Sequence, residues 1–150
     1  MERALGIDFG EVRIGLAISD GLGLFARPLE TIHVTETEPL ARIAAVVRAH
    51  DIRIVVLGLP LRLDGSEGTA TRKVRTFARE LAPVLPEGVS IMESDERLST
   101  VTAREKRAES AGKRRGKGEP PPIDQVAAAV ILQDYLDARR PPEPWPEEEP

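Results

Sequence analysis

The chain has 150 residues, of which 41% are hydrophobic and 31% charged, with a net charge of −4 at pH 7 and no cysteine. This length suffices for one domain with its own core, and the lack of cysteine excludes disulfides, thiolate metal sites and cysteine nucleophiles. No apolar run approaches the roughly 20 residues of a membrane span, and the first residues lack the pattern of a signal peptide. We therefore expect a soluble protein of the cytoplasm that makes no membrane contact.

The chain predicts, in order, three antiparallel strands, a helix, a strand, a helix, a strand and two helices. The strands are expected at 4–10, 13–20, 26–34, 53–59 and 89–93, and the helices at 40–49, 69–85, 99–111 and 123–139. Residues 35–37 are rich in capping types, and Pro28 indicates an edge or a bulge in the third strand. The strand at 53–59 is nearly all apolar, as in a central parallel strand. This order predicts an α/β fold with a mixed five-stranded sheet flanked by helices.

One domain is expected over 1–140, followed by a tail over 141–150. The last ten residues contain five Pro and four Glu but no Lys or Arg, a composition typical of disordered segments. Without them the chain has 21 acidic and 21 basic residues. The segment 112–122, rich in Gly and Pro, predicts a mobile loop.

Three groups of carboxylates stand where predicted strands end or a helix begins. Asp8 lies among apolar residues of the first strand, where a buried carboxylate is costly unless it is paired or bound to a cation. Asp95 and Glu96 follow the fifth strand, at the end where open α/β sheets bind ligands. Asp124 begins the last helix. Carboxylates brought together in this way are typical of Mg²⁺ or Mn²⁺ sites, and two such ions promote phosphodiester hydrolysis.

Each group also has a purely structural interpretation. Asp8 would then cap a turn or pair with Arg13, Asp95 or Ser99 would cap the following helix, and Asp124 would interact favourably with the dipole of its own helix. The two histidines, His33 and His50, fall at element ends and are expected at the surface. The chain has no P-loop, and no nucleophile-elbow pattern supports a Ser-His-Asp hydrolase.

A basic cluster lies between two of these carboxylate groups. Residues 104–117 hold seven Lys and Arg against two Glu. We expect these cations to flank a cleft and to contact phosphates without regard to base sequence. The alternative is a solvated helix face followed by a soluble loop. The residues concerned are Arg104, Lys106, Arg107, Lys113, Arg114, Arg115 and Lys117.

Five motifs follow one another in a fixed order along the chain. They are the run Gly6–Asp20, the run Pro28–Ile32, Gly58-Leu59-Pro60-Leu61 with Asp64-Gly65-Ser66, the run Asp95–Thr100, and Asp124-Gln125-Val126-Ala127-Ala128 with Ile131-Leu132-Gln133. In this order they resemble the YqgF/RuvX family, whose members are described as Holliday junction resolvases and as pre-16S ribosomal RNA nucleases. The resemblance covers residues 3 to 138, and it implies an RNase H-like fold.

The resemblance also implies roles for individual residues. It implies metal ligands at Asp8, at a carboxylate of the Asp95-Glu96 pair and at Asp124, with Glu96 favoured, so that the catalytic set is Asp8, Glu96 and Asp124. It places Arg13 and Arg97 near the site, where their fork-shaped donors suit phosphate oxygens. With the basic cluster, they are the expected nucleic-acid-binding residues.

The function expected is that of a metal-dependent endonuclease using Mg²⁺ or Mn²⁺, as a monomer or a homodimer. Its expected substrate is structured RNA, namely pre-16S rRNA, within the pre-ribosomal small subunit. The alternatives are a Holliday junction resolvase acting on branched DNA and a non-catalytic nucleic-acid-binding factor in ribosome assembly or transcription. An actin-like or sugar-kinase ATPase is disfavoured. Such proteins bind nucleotide between two domains of this kind, and 150 residues supply one.

Overall fold

The computed structural model describes residues 2–96 and 120–139. In these ranges the strands are β1 (Arg3–Asp8), β2 (Arg13–Ser19), β3 (Ala26–His33), β4 (Ile52–Leu59) and β5 (Ser90–Asp95), and the helices are α1 (Pro39–Ala49), α2 (Thr69–Leu81), a 3-10 helix (Ala82–Val84) and α3 (Ile123–Arg139). The predicted helix at 99–111 and the predicted tail at 141–150 lie outside the described residues. No helix in the described part of the chain combines the length and the apolar character needed to cross a bilayer.

The strands of the described ranges form one mixed sheet in the order β3-β2-β1-β4-β5. Strands β1, β2 and β3 are mutually antiparallel neighbours, whereas β4 and β5 run parallel to β1. The predicted five-stranded mixed sheet is therefore confirmed. Because β1, β4 and β5 are parallel, all three end at the same side of the sheet, which we name the carboxyl edge.

The two faces of the sheet differ in the size of their side chains. The face under α1 and α2 carries large residues such as Leu5, Ile7 and Leu57, which pack against the helices in one core cluster. The opposite face carries small residues such as Ala4 and Ala17, and α3 packs directly on it.

Gly6 shows how closely α3 approaches the sheet. A Cβ atom at this position would lie 2.6 Å from the carbonyl oxygen of Ala128 and 2.7 Å from Cβ of Leu132. Large side chains on this face would hold the helix away from the strands. The small residues therefore bring the first turn of α3 down onto the sheet, beside the carboxyl edge.

Several element boundaries differ from the predicted ones for identifiable reasons. Strand β5 continues to Asp95 rather than ending at 93, because its parallel ladder with β4 extends through Ser94 and Asp95. Helix α2 ends at Leu81 rather than 85, since Pro83 lacks the N–H that an α-helix would need there. The capping residue of α1 is Glu38, whose carboxylate accepts hydrogen bonds from two backbone N–H groups, and not the stretch 35–37.

The expected irregularity at Pro28 is confirmed. Leu16 of β2 pairs with Glu30 of β3, and the next residue, Ala17, pairs with Pro28. Leu29 is thus the extra residue of a β-bulge. Bulges of this kind re-aim neighbouring side chains and recur next to active sites.

Candidate metal-binding and nucleic-acid site

Asp8 is the last residue of β1 and stands at the carboxyl edge. Side chains alternate between the faces of a strand, and Ala4 and Gly6 of β1 contact α3. Asp8 therefore lies on the α3 face of the sheet, and it is half-buried. The first predicted carboxylate thus stands at the point where the parallel strands end.

Glu96 reaches the same place from the end of β5. The ladder between β1 and β4 pairs Ile7 with Leu57, so that Gly58 comes level with Asp8. A Cβ atom at Gly58 would lie 2.8 Å from the carboxyl carbon of Glu96 and 2.6 Å from Cδ1 of Ile131. The Glu96 carboxylate therefore occupies the space of a missing side chain, about one strand spacing (~4.8 Å) from β1.

Asp95 lies on the other face of the sheet. It pairs with Leu59 of β4, and Leu59 belongs to the core cluster under α1 and α2. Paired residues of neighbouring strands share a face, so Asp95 and Asp8 face opposite ways. The geometry thus separates the Asp95-Glu96 pair and brings Glu96, not Asp95, to the side of Asp8.

Asp124 lies in the first turn of α3, directly above Gly15. In the β1–β2 ladder Gly15 pairs with Asp8. A Cβ atom at Gly15 would overlap the backbone carbonyl of Asp124 and would lie 2.9 Å from the backbone nitrogen of Gln125. The absence of a side chain at Gly15 therefore allows the Asp124 backbone to approach within one strand of Asp8.

The Asp124 carboxylate is anchored on the β3 side of this position. Its Oδ2 accepts a hydrogen bond from Oγ1 of Thr31 at 2.7 Å, and Nε2 of Gln125 donates to the same Oγ1 at 3.0 Å. Thr31 itself pairs with Gly15. Both Thr31 and Gln125 were missed as site residues, although both fall within the family motifs.

Among the described residues, no three Asp, Glu, His or Cys side chains lie close enough together to hold a metal ion by themselves. Mg²⁺, however, is usually bound through one or two carboxylates together with waters and substrate phosphates. Asp8 and Glu96 supply two such carboxylates on one face of one edge, and Glu96 is seated in a space kept open by Gly58. The donor set therefore fits a hard divalent cation.

A cavity of about 490 Å³ adjoins Asp124. It is lined by Arg13, Leu29, Glu30, Thr31, His33, Pro122, Asp124 and Gln125. Two hydrogen bonds from Arg42, of 2.7 and 2.6 Å, lower the pKa of Glu30 and raise that of Arg42. Arg13 is exposed and forms no ion pair with the described residues.

These features make Arg13 a cation available at the cavity beside Asp124. His33, its partner in the β2–β3 ladder, is exposed as expected. The other predicted nucleic-acid-binding residues, Arg97 and the basic cluster at 104–117, lie outside the described residues.

A second cavity, of about 520 Å³, opens on the opposite face near the same edge. Phe9 and Phe77 line it with ring centroids 4.7 Å apart, and Arg72 and Lys73 line it as well. Lys73 forms an ion pair with Glu11. This cavity could not be predicted from the sequence, because its lining residues come from separate elements.

The chain is similar to known proteins over most of its length. The model of the family described as "RuvX: Holliday junction resolvase" matches residues 2–138. A protein of Myxococcus xanthus (strain DK1622) named "Putative pre-16S rRNA nuclease" is 47% identical over 142 residues, covering 94% of this chain and 91% of its own length. A protein of Fusobacterium nucleatum with the same name is 39% identical over 140 residues, covering 93% of this chain and 100% of its own.

Two solved structures share the fold. One is T. thermophilus RuvC in complex with a Holliday junction substrate, with a TM-score of 0.63, 22% identity and coverage of 93% of this chain and 96% of that one. The other is the fowlpox virus Holliday junction resolvase, with a TM-score of 0.50, 13% identity and coverage of 91% and 99%. At these identities the likeness concerns the fold alone. It confirms the RNase H-like fold.

Proposed function

The chain belongs to the RuvX family, and on that premise we propose that it is a cytoplasmic, metal-dependent endonuclease that hydrolyses phosphodiester bonds in structured nucleic acid. The observation that carries the proposal is the position of Glu96, whose carboxylate lies over Gly58 at the level of Asp8. Two carboxylates on one face of one strand edge are a ligand set that Mg²⁺ and Mn²⁺ favour, with waters and substrate phosphates completing the coordination. The proposed domain comprises residues 1–140, with a tail beyond it.

Asp8 and Glu96 would hold Mg²⁺ or Mn²⁺, and Asp124 would complete the ligand set from α3. A divalent cation bound there would supply charge stabilisation for the attacking water and the leaving oxygen. Arg13 would hold a phosphate of the substrate through its fork of N–H donors, at the cavity that also contains Asp124. Phosphate contacts from Arg97 and the basic cluster would make binding depend on salt more than on sequence.

The substrate we propose is pre-16S rRNA, cut in the maturation of its 5′ end within the pre-ribosomal small subunit. Relatives that share 39–47% of their residues with this chain carry the name pre-16S rRNA nuclease. The proteins of known structure that act on four-way DNA junctions share only 13–22%. Cleavage of branched DNA is the alternative, because the family description names it.

The test compares cleavage of a pre-16S rRNA 5′ fragment and of a four-way DNA junction, each with Mg²⁺, with Mn²⁺ and with EDTA. The variants are Asp8→Asn and Glu96→Gln, which remove one charge each and keep the side-chain size. Asp95→Asn is the matched control, because Asp95 lies on the opposite face. We expect cleavage of the RNA that is lost in EDTA and in the first two variants but retained in the control.

Other results would change the conclusion. Cleavage of the DNA junction alone would identify a junction resolvase. Binding of either substrate without any metal-dependent cleavage would contradict the nuclease and indicate a non-catalytic factor. Loss of activity in Asp95→Asn, with activity retained in Glu96→Gln, would reverse the assignment of the two ligands.

A further inference from the structure

We propose that Thr31 is a positioning residue, which fixes the Asp124 carboxylate for metal binding and is itself oriented by Gln125. The inference rests on the proposed function and adds two residues to it. Neither residue carries a charge, and neither would contact the metal. Their role would be to hold one oxygen of the Asp124 carboxylate in place.

The hydrogen bonds run in one direction through the three side chains. A threonine hydroxyl has a single hydrogen to donate, but its oxygen can accept as well. Because Nε2 of Gln125 donates to Oγ1 of Thr31 at 3.0 Å, the hydroxyl hydrogen of Thr31 points to Oδ2 of Asp124, 2.7 Å away. A hydroxyl donating to a carboxylate is among the stronger hydrogen bonds of proteins, and a donor feeding that hydroxyl polarises it further.

The backbone of Asp124 is held independently of this network. Its first helical turn lies on Gly15 so closely that a methyl group there would overlap the Asp124 carbonyl. With the backbone fixed, the direction of the carboxylate depends only on its two side-chain torsions. The hydrogen bond from Thr31 is the contact in the described residues that sets these torsions.

Only one of the two carboxylate oxygens is used by the described residues. Oδ2 accepts the hydrogen bond from Thr31, whereas Oδ1 of Asp124 has no hydrogen-bond partner in residues 2–96 and 120–139. Metal-binding carboxylates in proteins are commonly held in this way, with one oxygen bonded to a neighbouring donor. The arrangement uses Oδ2 for the hydrogen bond, so Oδ1 would be the oxygen that binds the cation or a water on the cation.

The position of Thr31 also depends on the bulge in β3. The extra residue at Leu29 shifts the register two residues before Thr31. Beyond the bulge, Thr31 pairs with Gly15 and so shares the α3 face with the Asp124 side chain. Without the extra residue, the strand register would shift by one and Thr31 would face the other way.

The test measures Mn²⁺ affinity directly, by titration followed by electron paramagnetic resonance of the free ion, on the full chain without substrate. Thr31→Val removes the hydroxyl and keeps the shape, and we expect Mn²⁺ to bind 10- to 100-fold more weakly. Thr31→Ser keeps the hydroxyl and should restore the affinity to within about threefold of the original. Thermal melting of each variant shows whether it is folded.

A double-mutant cycle separates positioning from a general structural effect. In an Asp124→Asn background, Thr31→Val should change the Mn²⁺ affinity by less than about twofold, because the carboxylate that Thr31 orients is gone. Gln125→Leu provides a second route, in case Thr31→Val does not fold, and it should weaken binding in the same direction.

The outcomes distinguish this inference from the proposed function. If folded Thr31→Val or Gln125→Leu binds Mn²⁺ as the unsubstituted chain does, while Asp8→Asn abolishes binding, the positioning role is wrong and the metal site stands. Equal weakening by Thr31→Val with and without Asp124→Asn would also overturn it. If the unsubstituted chain binds no Mn²⁺, the metal site itself fails, and the role of Thr31 fails with it.

Discussion

Replacing Gly58 by alanine should abolish most of the activity while the protein remains folded. The backbone at Gly58 is that of a strand and not left-handed, so alanine fits it without strain. Its methyl carbon, however, would lie 2.8 Å from the carboxyl carbon of Glu96 and 2.6 Å from Cδ1 of Ile131. Carbon atoms in contact are separated by about 3.5–4.0 Å, so the carboxylate must move by about 0.7–1.2 Å.

The size of this displacement determines how much the cleavage rate and the free energy of unfolding should fall. Misplacement of a catalytic group by about 1 Å costs on the order of 100-fold in rate. Both groups that must move are the ends of flexible side chains. The strain of overpacking, about 1–3 kcal/mol, is offset by about 0.5–1 kcal/mol from the smaller entropy of the unfolded chain. The free energy of unfolding should therefore fall by no more than about 2.5 kcal/mol.

The assay is single-turnover cleavage of the pre-16S rRNA fragment with saturating Mn²⁺, alongside thermal melting. Gly21→Ala is the matched control, since nothing lies within 4 Å of a Cβ atom at that position, and it should leave the rate unchanged. A folded Gly58→Ala variant with the original rate and Mn²⁺ affinity would refute the reasoning. It would mean that the Glu96 carboxylate does not bind the metal in the position it has over Gly58.

Three further substitutions test the framework around the site. Gly15→Ala should lower the free energy of unfolding by about 3 kcal/mol or more, because the added methyl group would overlap the backbone of α3, which cannot move aside as a side chain can. A melting temperature like that of Gly21→Ala would contradict this. Thr71→Val should lower the free energy of unfolding by about 1–3 kcal/mol, because the buried hydroxyl of Thr71 donates to the carbonyl of Pro60 at 2.7 Å and accepts from the N–H of Gly68 at 3.2 Å. Denaturant unfolding measures this change, and a value below about 0.5 kcal/mol would contradict the expectation. Glu30→Gln should remove at most about 1 kcal/mol of stability, discounted for solvent screening. Since Arg42 lowers the pKa of Glu30 from 4.5, that stabilisation is complete above pH 4.5 and lost as the pH falls below it. The stabilities of the unsubstituted chain and of Glu30→Gln should therefore converge between pH 7 and pH 3, and a constant difference between them would argue against the ion pair.

The sheet could be predicted from the sequence because each strand has a strong local signal. The antiparallel order of the first three strands, the apolar run of β4 and the proline at the bulge are each predicted for a direct physical reason, and all three are confirmed. The end of β5 is harder to predict from the sequence. Ser94 and Asp95 are polar, and they join the strand only because they pair with β4. Such pairing depends on tertiary contacts that local composition does not contain.

The acidic residues of the candidate site can be proposed from the sequence, but their arrangement cannot. Asp95 and Glu96 are adjacent, and the sequence alone does not show which of them faces Asp8; the strand register decides it. Thr31 was missed because a threonine in a strand is ordinary, and its partner lies 93 positions further along the chain. A strand glycine such as Gly58 does indicate close approach of another group, but the identity of that group, Glu96, comes only from the structure.

The contact between Gly15 and the first turn of α3 has a consequence for how the protein is made. Because synthesis proceeds from the N-terminus at roughly 5–20 residues per second, the first four strands are complete well before α3 exists. A nascent chain can thus present Asp8 without the helix that carries Asp124. Contacts between such distant segments form slowly. If Asp124 has the role proposed above, an incomplete or newly released chain should remain inactive until α3 has docked.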